Sequence, residues 1–75
     1  MMPDAEIEEE IRKRLLNRFG SGEYGKRNTE ICLDRLYGTK YKDISERYGV
    51  SIERAREIFK SGQLHLIATM KGIDL

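Results

Sequence analysis

The sequence predicts an all-α fold, a small helical domain of four to five helices. Three observations carry that expectation. Apolar residues return every three or four positions along most of the chain, which is the period of a helix with one buried face. The single proline stands at position 3, so the rest of the backbone lacks the residue that breaks helices. Glycines punctuate the periodic stretches at positions 20, 38 and 49, where a helix can end in a left-handed residue.

Composition bounds the answer further. With 75 residues the chain makes one small domain, near the lower limit at which a single apolar core holds without help. It is 39% hydrophobic and 36% charged, a balance suited to helices with solvated outer faces. The one cysteine, Cys32, has no internal disulfide partner. No apolar run reaches membrane-spanning length, and no basic, then apolar, signal opens the chain. A cytoplasmic protein with no membrane contact is therefore expected. Net charge is only +1, but it is uneven. Residues 1–38 hold seven basic and eight acidic side chains, and residues 39–75 hold seven and five, so the second half is the one suited to meet phosphates.

In chain order, the first helix is expected to start at Pro3 and Asp4, with Glu6, Glu8, Glu9 and Glu10 near its positive end. Ile7, Ile11, Leu15 and Phe19 recur every four residues, supported by Leu16, and Gly20 ends the run. Basic residues Arg12, Lys13, Arg14 and Arg18 fill its later turns. So small a chain needs this stripe for its own core, although a second subunit could cover it instead. Residues 20–26, GSGEYGK, read as a glycine-rich linker. Asn28 or Thr29 then caps a second helix, which carries Ile31, Cys32, Leu33, Leu36 and Tyr37 and stops at Gly38. This divides the chain into an N-terminal helix with linker, 1–27, and a unit of 28–75.

Residues 41–60, YKDISERYGVSIERAREIFK, organise the second unit. A short helix over 41–48 places Ile44 and Tyr48 on one face. Gly49 suits a left-handed stop, Val50 fills the corner, and Ser51 is a good N-cap for the next helix. Ala55 and Ile58 return to the buried side, and Ser45 is small where the two helices cross. This is the spacing of a helix-turn-helix, whose second helix can lie in a DNA major groove. Beyond Lys60, Ser61 and Gly62 loosen the pattern, and Leu64, Leu66, Ile67 and Met70 resume it. That stretch is either a separate helix after a break at Gly62 or a kinked continuation. Gly72 and the residues after it are expected to fray.

Other chemistries find little support. The phosphate-cradling pattern GxxxxGK[ST] fails, because Lys26 is followed by Arg27. Cys32 sits on an apolar face, as a small buried hydrophobe does. His65 is the only histidine, and no cluster has metal-ligand spacing. No enzymatic activity, cofactor or metal is expected.

From Asn28 onward the chain resembles region 4 of bacterial sigma factors and the related output domains of response regulators. The likeness lies in ICLDRLYG (31–38), YKDISERYGVS (41–51) and ERAREI (53–58), and it spans residues 28–62. Asp43, Ile44, Ser45, Tyr48, Gly49, Val50 and Ser51 match the family's second helix and turn; Glu53, Arg54, Arg56 and Ile58 match its third helix. Small phage transcription activators look similar. Two positions depart: Ile52 stands where the family has Arg, and Glu57 where it has Gln. Both lose contacts with which sigma factors read the −35 promoter element. No stretch matches the parts that bind the −10 element or the polymerase clamp. The resemblance therefore implies a small bacterial or phage regulator on this scaffold rather than a complete sigma factor.

The function expected is sequence-specific binding of double-stranded DNA in transcription regulation, with a recognition helix over about 51–61. Ser51, Ile52, Glu53, Arg56 and Glu57 would meet base edges. Arg56 suits guanine, Glu53 cytosine N4 and Ile52 a thymine methyl. Thr39, Lys40, Lys42, Arg54 and Lys60 would meet phosphates. A homodimer through helix 4–19 or the C-terminal helix would fit a two-fold site. Two acids stand on the recognition face, and the alternative for these residues is that Glu53 with Arg56 and Arg54 with Glu57 neutralise one another at i,i+3 on a solvated helix. The alternative is a small adaptor that binds RNA polymerase or a sigma factor through the same surface.

Overall fold

A computed structural model describes residues 5–71. Pro3 and Asp4, expected to open the first helix, and Gly72, expected to fray, lie outside them. The described residues form four helices and no strand: α1 (Ala5–Phe19), α2 (Glu23–Leu36), α3 (Tyr41–Tyr48) and α4 (Ile52–Met70).

Helix α1 spends its stripe on its own chain. Leu15 is fully buried, Ile11 and Phe19 pack against the core, and only Ile7 stays largely exposed. Arg12 reaches across to the Glu30 carboxylate of α2, and it also lies within 4.0 Å of Glu8.

The start of α2 differs from the expectation. The linker is only residues 20–22, and α2 is already helical at Glu23, with Gly22 as an N-cap that has no side-chain bond. Asn28 and Thr29 are therefore not caps. The Asn28 Oδ1 accepts from the Arg27 guanidinium at 3.1 and 3.2 Å, and Thr29 is buried in the helix interior. The reason is tertiary. A Cβ on Gly25 would overlap the Gly20 carbonyl and stand 2.7 Å from the Phe19 oxygen. The glycine is there so that α2 can lie against the end of α1, not so that the chain can loop.

Helix α2 ends at Leu36, and Thr39 N–H and Gly38 N–H donate to the Asp34 and Arg35 carbonyls, both at 3.0 Å. That paired pattern is the Schellman stop. Helix α3 then covers residues 41–48 as the sequence predicts, and Gly49 takes the left-handed conformation, φ 67° and ψ 34°. Ser45 does more than leave space. Its carbonyl accepts from Gly49 N–H at 3.0 Å and Val50 N–H at 3.2 Å, and its hydroxyl donates to the Val50 carbonyl. Ser51 caps α4, its Oγ accepting from Arg54 N–H at 3.0 Å.

Helix α4 runs unbroken for 19 residues through Gly62, so there is no break there and the last stretch continues the same helix. Gly62 is buried; a Cβ on it would stand 2.6 Å from Cys32 Sγ, 3.0 Å from Leu15 and 3.3 Å from Phe19. Like Gly25, it marks a close approach between helices. The core of Leu15, Ile31, Cys32, Leu33, Ile44, Ala55, Ile58 and Leu66 thus draws on all four helices.

Candidate nucleic-acid interface

The surface in question is built by α3, the turn at 49–51 and the first turns of α4. Ala55 and Ile58 point into the core, at 0% and 2% exposure. Helical spacing then turns Glu53, Arg56, Glu57 and Lys60 outward, and all four are exposed, with Arg54 beside them. Ile52 is half-buried, and Ser51, though exposed, is committed to its cap. Lys40 and Lys42 are exposed on either side of Tyr41, and Thr39 is half-buried before them. Lys40 is the N-cap of α3, with no side-chain cap bond. Asp43 and Glu46 are exposed on α3 as well.

The charges on this face do not simply cancel. Arg54 and Glu57 form the expected i,i+3 pair at 3.7 Å, but both side chains are more than half exposed, so the pair is weak in water. Glu53 and Arg56 form no such pair. The Arg56 guanidinium instead lies 5.4 Å from the centre of the Tyr41 ring. Arg35, from the end of α2, lies 4.5 Å from the same ring and donates through Nη1 to the Thr39 carbonyl at 3.1 Å. The cluster brings α2, α3 and α4 together at one edge of the surface.

Sequence reasoning missed Arg35 and Tyr41 as parts of this surface. No local signal marks them, because the contact joins residues from three helices. Behind the surface, Asp34 of α2 accepts from Arg47 Nη1 at 2.8 Å and from the Tyr48 hydroxyl at 2.7 Å, which fixes α3 on α2. Desolvation, helped by the Asp34 carboxylate, pushes the Tyr48 phenol up to about 12. Burial alone pushes the Cys32 thiol up to about 12, so it stays protonated at neutral pH, unlike a nucleophilic cysteine. Among the described residues, no three His, Cys, Asp or Glu side chains gather as metal ligands, and no helix is long and apolar enough to cross a membrane.

Compared with protein-family models, curated proteins and solved structures, the chain matches none.

Proposed function

We propose that the chain binds double-stranded DNA and regulates transcription, acting as a helix-turn-helix protein with α4 as its recognition helix. One observation carries the reading. A short helix stopped by a left-handed glycine leads through a three-residue turn into a Ser-capped helix, whose exposed face keeps Arg56 clear of Glu53. Ser51, Ile52, Glu53, Arg56 and Glu57 would then face base edges, and Thr39, Lys40, Lys42, Arg54 and Lys60 the backbone. The sigma region 4 resemblance supports the helix-turn-helix reading through Glu53, Arg54 and Arg56, but not the roles of Ile52 and Glu57, where the chain departs from it.

A homodimer belongs to this proposal, because a single domain offers few base contacts and two-fold pairing on half-sites supplies more. Helix α1 has spent most of its stripe internally. The second half of α4 exposes Leu64, Ile67 and Met70 at 59%, 45% and 52%, every third residue along one side. That strip could pair two copies, whereas in the adaptor reading polymerase or a sigma factor docks on the helix-turn-helix surface itself.

Fluorescence anisotropy with labelled duplex decides between them. DNA binding should weaken steeply as salt rises and should fall on Lys40→Gln combined with Lys42→Gln. A chain that ignores duplex at low salt yet co-purifies with polymerase is an adaptor.

A further inference from the structure

Two arginines on one aromatic ring need an explanation. Arg12, Arg14, Arg47 and Arg54 each lie within 4.0 Å of a carboxylate. Arg18 and Arg27 each sit over a ring close by in sequence, Phe19 and Tyr24. Arg35 and Arg56 are different. They come from separate helices, neither has a carboxylate partner among the described residues, and they converge on the ring of Tyr41. Among the described residues no other ring takes two cations. A cation over a ring gains only modestly at an exposed site, and a second cation beside the first is repelled by it. The arrangement lacks an anion.

Its surroundings suit one. Lys40 and Lys42 flank Tyr41 in sequence, and both are exposed. Asp43, the nearest acid along α3, forms no ion pair with Arg35 or Arg56, so neither guanidinium is neutralised by it. Arg35 is held at its post by the Thr39 carbonyl, and Tyr41 is half-buried against the core, so its ring is a fixed platform. Guanidinium groups recognise phosphate oxygens in a planar, two-pronged geometry.

We propose that Arg35, Tyr41 and Arg56 form a clamp for a single phosphodiester of duplex DNA. The clamp rests on the DNA-binding reading and changes one part of it, moving Arg56 from a base edge to the backbone. It also adds Arg35, which lies outside the two helices that make the recognition motif. Tyr41 is a positioning residue: its ring holds the Arg35 guanidinium at 4.5 Å and that of Arg56 at 5.4 Å from its centre.

The experiment uses the full chain and a set of duplexes of unrelated sequence, titrated across a salt series. Arg35→Gln and Arg56→Gln remove the charges, and Gln at 35 retains a donor for the Thr39 carbonyl. Circular dichroism melts show that each variant is folded. Each single variant should weaken binding about tenfold, and equally on every duplex, because a phosphate contact carries no sequence information. The plot of log affinity against log salt should be shallower by about 0.9 in the double variant, the share of one phosphate, and not by about 1.8, the share of two. Tyr41→Leu, which keeps both charges, should weaken binding uniformly too. The clamp is overturned, with DNA binding intact, if Arg56→Gln changes which duplexes bind best or if Arg35→Gln changes nothing. Inorganic phosphate that shifts the Arg35 and Arg56 Nε–H resonances, where duplex does not, overturns it in favour of a free phosphate ester. A wild-type chain with no salt-dependent duplex binding removes the DNA reading and the clamp together.

Discussion

Thr29 is the buried polar side chain of the core, 1% exposed, and its hydroxyl has no hydrogen-bond partner among the described residues. An unpaired buried hydroxyl costs free energy that an apolar group of the same shape does not. Thr29→Val should therefore raise stability, by about 1 kcal/mol, read as a higher midpoint in urea at unchanged slope; a lower midpoint would mean the hydroxyl is satisfied in solution. Gly62 presents the opposite case, a position with no room. Gly62→Ala gains helix propensity, roughly 1 kcal/mol, but sets a methyl 2.6 Å from Cys32 Sγ. Overpacking typically costs about 1–3 kcal/mol, so the loss should win. Adding Cys32→Ala removes the sulfur and should recover part of it. If the double variant is no better than the sum of its two changes, the tight contact does not lie between these residues.

At the scale of elements, the α2–α3 junction hangs on Asp34, which holds Arg47 and the Tyr48 hydroxyl. The Tyr48 phenol rises from 10.0 to about 12, and the Cys32 thiol in the core from 9.0 to about 12. In both, the folded chain keeps a proton that the unfolded chain releases earlier. Their stabilising share is thus fully present below the unfolded values and is lost as pH rises from 9.0 towards about 12. Thermal melts across that range should show the loss, and Tyr48→Phe with Cys32→Ala should flatten it. An equally steep fall in that variant would mean that neither group carries it. Tyr48→Phe alone should cost about 1 kcal/mol at neutral pH through the bond to Asp34. The elements themselves were legible to different degrees. Helix α3 and its turn were readable to the residue, because Gly49 and Ser51 act locally. The start of α2 and the length of α4 were not. Gly25 and Gly62 look like punctuation in sequence, and only the facing residues, Gly20, Cys32 and Leu15, show that they are contact points.

For the whole molecule, that same blindness matters most where α1 is concerned. The sequence suggests a helix-turn-helix unit of 28–75 with an appended helix and linker. The exposed face of α4 was also readable, since Ala55 and Ile58 fix which side is buried, but the Arg35–Tyr41–Arg56 cluster was not, because it exists only once three helices meet. Helix α1 enters the core at the same point as α4: Leu15 is 0% exposed and stands, with Phe19, against Gly62 and near Cys32. Residues 20–25 form a close backbone crossing rather than a tether. In a chain this small, each buried large side chain carries a substantial part of the stability. Leu15→Ala alone should cost about 2–5 kcal/mol, which is comparable with the whole stability of a marginal domain. A chain beginning at residue 23 should therefore lose its cooperative melt and expose Cys32 to thiol reagents that the full chain resists. The uncovered surface would include the side of α4 around Gly62 and Leu66. Supplying residues 1–22 as a separate peptide should restore protection of Cys32 in proportion to peptide concentration. A 23–75 chain that melts cooperatively, with Cys32 still unreactive, would instead make α1 an accessory to a self-sufficient three-helix unit. The surface of α3 and α4 proposed to meet DNA would then owe nothing to the first helix.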